Sequence, residues 1–385
     1  MTTEEAHLLD VLETPDDDAP RLTYADWLEK HGRSDRAVFI RLQCEQARLS
    51  ADDPRREELQ AREWTLLREH EQTWADPLRG LATAWEFRRG FIEAITAPAK
   101  AFCKRVEAVF RAAPVRRVRL LKARGEMARL ADCPHLERLT GLGLLHSRLD
   151  GEGLRALLSS PHLTRLRTLE LLGAGLGPEG LRALARLPLL AQLTRLDLGE
   201  NALGDRGAQA LAAVPHLRRL EWLALDNNRI GRPGASALAA SPSLGTLTAL
   251  NLSYNDDFGD EGLTPLVASP HLGRLSRLML LGSGIGDRGV QALAASPHLG
   301  GLAELSLDEN HITSAGLRAL VASSHFTRLT RVELDCNVLG DEGAVALLAS
   351  RPTSRLQRLQ LSGTDISPPF QRKLRARFGK SVCQF

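Results

Sequence analysis

Leucines recur through the last two thirds of the chain at a nearly fixed spacing. Each copy follows the frame L-x-x-L-x-L-x-x-N-x-L/I, and every step is 27 residues except one of 28, where the extra residue lies in segment 255–259. One column of the frame holds Leu142, Leu169, Leu196, Leu223, Leu250, Leu278, Leu305, Val332 and Leu359. Repetition over nine copies predicts stacked structural units rather than a single globular core.

Each repeat divides into a strand, a turn and a helix. The alternation L-x-L predicts a short strand whose leucines point inward. The turn column holds Asn201, Asn228, Asn255, Asn310 and Asn337, with Ser147, Ala174, Ser283 and Thr364 in the other repeats. An asparagine side chain there can bond backbone groups that the turn leaves unpaired, so stacked copies predict an asparagine ladder. A glycine about six residues later opens a stretch with helical spacing, which a proline ends.

A strand and a helix in every repeat predict a parallel sheet on one face and helices on the other. Helices are wider than the strand spacing of about 4.8 Å, so the stack should curve with its strands inside. The frame resembles the ribonuclease-inhibitor-like class of leucine-rich repeats over roughly residues 115–367. That resemblance implies an α/β horseshoe solenoid, with parallel strands on the concave face and helices on the convex face. It specifies no function, because such repeats bind many unrelated partners.

Both ends of the repeat array are predicted to be capped. Upstream, the pattern predicts a strand over 90–95, a helix over 99–112 and a degenerate first repeat over 115–120. Downstream, residues 368–378 form a basic amphipathic helix. We therefore divide the chain into a helical module (1–78), an N-terminal cap with the degenerate repeat (79–138), the repeats (139–367) and a C-terminal cap helix (368–385).

Residues 1–78 lack the repeat and predict four helices, over 2–12, 21–32, 38–49 and 54–74. The first opens with a capping-box pattern at Thr2 and Glu5, and the second ends at Gly32. Segment 16–29, together with 39–43, is similar to the repeat-companion domain at the start of bacterial repeat proteins. The resemblance spans about 45 residues and implies no established activity. Tyr24, Asp26 and Trp27 are a possible docking surface, although the i, i+3 spacing of the two aromatics favours a small core.

Charge is unevenly distributed in this chain of 385 residues with a net charge of +3. Residues 1–80 carry 11 basic and 19 acidic side chains, whereas residues 81–140 carry 13 basic and 6 acidic ones. The opposite signs suggest that the module rests against the start of the repeats; two separately solvated faces are the alternative. The N-terminus is acidic without an apolar stretch, and the five cysteines are scattered. We expect a cytoplasmic protein without disulfides.

No residue pattern indicates catalysis, a metal or a cofactor. Six histidines share one repeat position, so they should stack along an outer edge rather than converge on an ion: His135, His162, His216, His271, His298 and His325. Cys336 follows a strand, as an accessible nucleophile would, but has no recognisable partner base. Arginine outnumbers lysine 44 to 6 but is balanced by acids, so nucleic acid is not the expected ligand.

The outward strand positions form the predicted binding surface. Its centre is Trp222, the only tryptophan of the repeats, which we expect to be exposed and close to Tyr254, Met279 and Leu281. The full set is Arg195, Asp197, Trp222, Asp226, Tyr254, Arg277, Met279, Leu281, Asp308, Arg331, Glu333 and Asp335. Mixed charge favours a protein partner over nucleic acid or a membrane.

The predicted function is a monomeric, non-enzymatic scaffold that binds another macromolecule. Two alternatives remain. One is a regulator of a small GTPase, because some similar repeats act in that way. The other is a recruiting subunit of a larger bacterial system, acting through its N-terminal module.

Overall fold

A computed structural model describes residues 2–50, 53–325, 327–350 and 355–385. The chain forms two compact units. The first contains residues 1–145 and 160–166, and the second contains residues 146–159 and 167–385.

The first unit begins with a helical module. Its helices are α1 (Thr3–Glu13), α2 (Ala19–Lys30), α3 (Ser34–Arg48) and α4 (Arg55–Trp74). The predicted capping box is present, since the Glu5 amide donates to Thr2 Oγ1 (3.2 Å) and the Thr2 amide donates to Glu5 Oε2 (2.7 Å). The predicted glycine terminus is also present. Gly32 has φ +77°, and the next amide, that of Arg33, donates to the Leu28 carbonyl at 2.9 Å.

Two helices of the module begin earlier than the apolar pattern predicts. α2 starts at Ala19 because Pro20, which has no N–H to donate, is suited to the first turn of a helix. α3 starts at Ser34. Its first turn is polar, so a helix start assigned from the first apolar residue falls too late in the sequence.

The module has its own apolar core. Its buried members are Val11, Tyr24, Ala25, Leu28, Ala37, Ile40, Cys44 and Phe91. Tyr24 is 8% exposed, and Trp27 packs against this core with its ring centroid 6.1 Å from that of Tyr24. The prediction of a core role for these two aromatics is therefore confirmed. Asp26 is instead exposed and pairs with Arg41 at 2.6 Å.

The rest of the first unit is a cap built on a sheet. Its elements are β1 (Ala84–Arg88), β2 (Phe91–Pro98), α5 (Ala99–Ala112), β3 (Arg117–Leu121), α6 (Met127–Ala131) and β4 (Gly141–Leu145). β2, β3 and β4 are parallel neighbours, and β1 pairs with β2 in the antiparallel sense. β1 was not predicted from the sequence. Its turn uses Arg89 and Gly90, both at positive φ, as a tight hairpin requires. A Cβ on Gly90 would lie 2.4 Å from Ile40 Cγ1, so only glycine fits there.

The predicted attraction between the acidic module and the basic segment after it is present as ion pairs within the first unit. The Asp16 carboxylate bonds Arg116, and its other oxygen lies 3.0 Å from Arg165. The Arg116 hydrogen bond holds the pKa of Asp16 below its usual value. Arg21, fully buried, donates to Glu93 of β2 at 2.7 Å. The module is therefore fixed to the cap by charge as well as by apolar packing.

An arginine completes this packing. The Arg36 guanidinium lies 4.7 Å from the ring centroid of Trp74 and 5.5 Å from those of Phe39, Phe87 and Phe91. Burial among these rings lowers the pKa of Arg36 to about 10. Aromatic faces attract a cation, which offsets part of the cost of removing it from water.

The second unit consists of regular repeats. Its strands are β5 (Thr168–Glu170), β6 (Arg195–Asp197), β7 (Trp222–Ala224), β8 (Ala249–Asn251), β9 (Arg277–Met279), β10 (Glu304–Ser306), β11 (Arg331–Glu333), β12 (Arg358–Gln360) and β13 (Cys383–Gln384). Each strand is parallel to the next, and from β5 to β12 the pairing follows the register of the repeat. The sequence analysis did not foresee β13, which pairs with β12 beyond the last helix.

Helices alternate with these strands. They are α7 (Gly151–Leu158), α8 (Gly177–Leu184), α9 (Gly204–Ala212), α10 (Arg232–Ala239), α11 (Gly259–Val267), α12 (Asp287–Ala294), α13 (Ser314–Ala322), α14 (Gly340–Ala349) and α15 (Pro368–Phe378). The predicted fold class is confirmed: an α/β leucine-rich-repeat solenoid preceded by a helical module. Within the described ranges, no helix is long and apolar enough to cross a membrane.

The predicted asparagine ladder is present. The Asn228 amide nitrogen donates to the carbonyls of Leu198 (2.9 Å) and Asp226 (3.0 Å). Its oxygen accepts from the backbone amides of Asn201 (3.0 Å) and Leu203 (3.2 Å) in the preceding repeat. Each asparagine therefore satisfies the backbone of its own turn and of the turn before it.

The glycine column lies inside the first turn of most helices rather than ahead of it. At α12, Asp260 of the preceding repeat accepts from the Gly286 amide at 2.7 Å. A Cβ on Gly289 would lie 2.4 Å from that same carboxylate oxygen. An aspartate of the previous repeat also approaches Gly234 and Gly316, whereas a Cβ on Gly207, Gly262 or Gly343 would meet the side chain four residues before it.

Candidate binding face

The outward side chains of β5 to β12, together with those of the turns that follow these strands, form the strand face of the second unit. The central residue of each strand, a leucine or, in β11, Val332, is buried, so its two neighbours point away from the core. All twelve predicted site residues lie on this face. Arg195, Tyr254, Arg277 and Arg331 are exposed, and the other eight are half-buried.

Trp222 differs from the prediction in its exposure and in its neighbours. It is half-buried, and the guanidinium of Arg195, on the adjacent strand, lies 4.3 Å from its ring centroid. Tyr254 lies in the turn after β8, five positions beyond the residue that pairs with Trp222. β8 ends at Asn251, and the chain has already turned at Tyr254, whose φ is +55°. The predicted single aromatic cluster is therefore two separate features, an arginine-stacked tryptophan and an exposed tyrosine.

Arginines mark the beginnings of the strands on this face. Arg277 donates to both carboxylate oxygens of Glu304 on the next strand, at 2.7 and 2.8 Å. Arg331, from the strand beyond, approaches the same carboxylate at 3.7 Å. The Arg277 hydrogen bond lowers the pKa of Glu304. These cations are arranged around one acid in register across three strands.

Carboxylates mark the ends of the strands. Asp197 accepts from the Gly199 amide at 3.0 Å, and Asp308 accepts from the Asp335 amide at 2.8 Å. Burial, more than any neighbouring charge, raises the pKa of Asp197 to about 6. Burial also raises the pKa of Asp226 and that of Asp308. These acids are held in place by the protein and are partly removed from water.

On the helices of the same unit, glutamates form ion pairs with arginines. There Glu179 pairs with Arg182 at 2.8 Å, and Glu261 pairs with Arg232 at 2.7 Å. Among the described residues, no lysine or arginine nitrogen lies within 4 Å of the site carboxylates, which are Asp197, Asp226, Asp308, Glu333 and Asp335. On the strand face, by contrast, Glu304 is paired with arginines, and these five carboxylates are not.

The sequence analysis missed a set of polar groups with a structural role. Ser296 donates to the carbonyl of Val267 at 2.5 Å, and its oxygen accepts from the His298 amide at 3.3 Å. Equivalent bonds form at Ser241, Ser269 and Ser323 within the second unit. The recurrent Ser-Pro-His could have revealed this ladder, because a serine that recurs at the ends of several helices can reach the carbonyls of the helix before it.

The histidines of the shared repeat column and Cys336 lie in the connections between strands and α-helices. The six histidines are half-buried at equivalent places. No group of three or more histidine, cysteine or acidic side chains that could hold a metal occurs in the part of the chain described. Cys336 is exposed in a turn with φ +55°.

Comparisons with known proteins agree with the repeat pattern. A family described as "Leucine Rich repeat" matches residues 192–212, 246–267 and 327–348. Among solved structures, an internalin (InlF) from Listeria monocytogenes is similar with 17% identity and a TM-score of 0.43, over 81% of this chain and 94% of that one. The Rad7–Elc1 complex of yeast is similar with 12% identity and a TM-score of 0.47, over 100% and 98%. No curated protein sequence matches this chain significantly.

Proposed function

We propose that this chain, which carries leucine-rich repeats, is a non-enzymatic scaffold that binds a protein partner through the strand face of the second unit. Leucine-rich repeats generally act as protein-interaction scaffolds. The observation that carries the proposal is the strand face itself, where Arg195 stacks on Trp222 beside half-buried carboxylates such as Asp197 and Asp226. Tryptophan and arginine are the side chains most often found at the energetic centre of protein interfaces.

The mixture of charges supports a protein as the ligand. The face carries arginines at the strand beginnings and carboxylates at the strand ends, whereas a polyanion would require one positive sign throughout. The half-buried state of Trp222 also helps, because an arginine-stacked ring is already ordered before binding and loses little side-chain freedom.

Substitution of Trp222 tests the proposal. Tagged chain, purified from the cells that encode it, is compared with Trp222→Ala and with the matched control Trp64→Ala, whose ring is 68% exposed on α4 of the first unit. We expect Trp222→Ala to weaken the binding of any co-purifying partner by about 2 kcal/mol or more, whereas Trp64→Ala retains it. Thermal melting of each variant separates lost binding from lost folding. An unchanged affinity of the folded Trp222→Ala chain would overturn the proposal.

A second candidate uses the helical module. The exposure of Trp64, a large apolar ring on the solvent side of α4, favours recruitment of a neighbouring protein by this surface. The same pair of variants decides between the two functions. Loss of the partner by Trp64→Ala, with retention by Trp222→Ala, would assign recruitment to the module instead of the strand face.

A further inference from the structure

The carboxylates of the strand face form two groups separated by several strands. The first acidic group is Asp197 and Asp226, at the ends of the adjacent parallel strands β6 and β7. The second acidic group is Asp308, Glu333 and Asp335, at the ends of β10 and β11. With a strand spacing of about 4.8 Å, the groups lie roughly 14 Å apart at their nearest strands and 24 Å apart at their farthest.

An apolar strip lies between the two groups. Met279 and Leu281, on β9 and in the turn after it, are half-buried, and Tyr254, in the turn after β8, is 44% exposed. β8 and β9 are the strands between β7 and β10, so the strip lies between the two acidic groups. The order across the sheet is therefore acidic, apolar, acidic.

Within the described part of the chain, the arginines of this face have their direct contacts elsewhere, although Arg195 acts on Asp197 at longer range. Arg277 and Arg331 converge on Glu304, and Arg195 lies over the ring of Trp222. Unpaired carboxylates that are partly removed from water are costly, and a cation placed beside them recovers much of that cost. Burial outweighs the attraction of Arg195 and raises the pKa of Asp197 to about 6, so this carboxylate is only weakly compensated.

We infer that the partner presents an apolar segment with a lysine or arginine on each side, so that its apolar part covers Tyr254, Met279 and Leu281 and its cations meet the two acidic groups. The inference rests on the proposed function, since it requires the strand face to be the binding surface. Charge complementarity favours a basic segment of the partner. An acidic segment would place its carboxylates next to both acidic groups, where like charges repel.

Synthetic peptides of about 10 residues can test this chemistry, since an extended peptide of that length spans roughly 33 Å and reaches both groups. The peptides share a central leucine block and carry lysine pairs, glutamine pairs or glutamate pairs at both ends. Binding of fluorescently labelled peptide to the full chain is measured by anisotropy. We expect the lysine peptide to bind at least about tenfold more tightly than the glutamine peptide, and the glutamate peptide to bind more weakly still.

Variants of the chain locate the effect. Asp197→Asn with Asp226→Asn, and Asp308→Asn with Asp335→Asn, remove charge but keep an oxygen that can accept the hydrogen bonds described above. The matched control is Glu179→Gln with Glu261→Gln, which removes the same charge from the helices. We expect about a tenfold loss of lysine-peptide affinity for either strand-face variant and less than about a twofold loss for the control. Equal losses in all three variants, or none, would overturn the inference.

The inference and the proposed function can fail separately. A natural partner that is lost with Trp222→Ala but binds the carboxamide variants with full affinity would leave the proposed function standing and overturn the charge chemistry. A lysine peptide that depends on the carboxylates but not on Trp222 would support the charge chemistry and remove Trp222 from the contact.

Discussion

The helical module of the first unit and the repeats of the second bury polar groups in different ways. In the module, the Arg21 guanidinium is fully buried and donates to Glu93, to the carbonyl of Pro15 and to that of Arg89. In the repeats, Asn228 makes bonds that recur at other turns of the stack. The stability of the module therefore depends on contacts that occur once, whereas that of the repeats depends on a contact that recurs in successive turns. We therefore expect single substitutions to be costliest in the module and more graded in the repeats.

The largest effect is expected from Arg21→Met. Glu93 would remain 5% exposed with only Arg89 as a cationic partner, and removing one member of a buried pair costs about 4 kcal/mol. Urea unfolding measures the change in the free energy of unfolding. The control is Arg33→Met, whose pair with Glu4 is about 40% exposed and contributes at most about 1 kcal/mol. Equal losses for both substitutions would contradict the distinction between unique buried contacts and surface contacts.

The second largest effect is expected from substitution of an asparagine in the middle of the ladder. Asn228→Ala leaves the buried amides of Asn201 and Leu203 without their side-chain acceptor and two carbonyls without a donor, at a cost of about 3 kcal/mol. Ser283→Ala is the matched substitution, because its hydroxyl donates only to carbonyls, at 3.1 and 3.2 Å, and should cost about 1 kcal/mol. If the two substitutions lower the free energy of unfolding equally, the asparagine amide contributes no more stability to the ladder than a serine hydroxyl does.

The sequence predicts what repeats and misses what depends on contact between different segments. The leucine and asparagine columns reveal the strands and the ladder because the equivalent residue 27 positions later has the same structural role. β1 was missed because five residues of alternating pattern become a strand only through pairing with β2. Likewise, an aspartate at one helix start gives no local sign that its oxygen bonds the amide of the next repeat.

The candidate site was predictable to a similar extent. Outward positions within the strands follow from strand alternation, so the sequence can predict which strand residues point away from the core. The contacts among these residues could not be predicted, because the register between neighbouring strands determines which side chains meet. Arg195 stacks on Trp222 as its register partner, whereas Tyr254 belongs to a turn. Which carboxylates lack cations depends on the packing of whole side chains.

The glycine column gives a third, smaller effect. A methyl group at Gly289 would meet the Asp260 oxygen at 2.4 Å, so Gly289→Ala should cost about 2 kcal/mol of unfolding free energy. Gly151→Ala is the control, because its Cβ would meet nothing within 4 Å and alanine is the better helix former. It should be neutral or stabilise by up to about 1 kcal/mol. A tolerated Gly289→Ala would show that the aspartate moves aside.

The smallest effect compares two acids of the strand face, and it depends on pH. Burial and the nearby Asp226 raise the pKa of Asp197 from 3.8 to about 6, so the folded chain holds this proton more tightly than the unfolded chain does. The contribution of Asp197 to stability is therefore complete below about pH 4 and is lost as the pH rises through about 6. Asp197→Asn, which keeps an acceptor for the Gly199 amide, should raise the free energy of unfolding by about 1 kcal/mol at pH 7.5 and hardly change it at pH 4.

Glu304 should behave in the opposite way. Its bond from Arg277 lowers its pKa, so its contribution is present above the unfolded pKa and is lost as the pH falls. Glu304→Gln should therefore destabilise the chain at pH 7.5 by less than about 1 kcal/mol, since Arg277 is exposed, and should cost less at pH 3. Urea unfolding across this pH range measures both variants. Parallel pH profiles for the two would mean that the unpaired carboxylate and the arginine-paired one share the same electrostatic environment, and the distinction between the two ends of the strands would be lost.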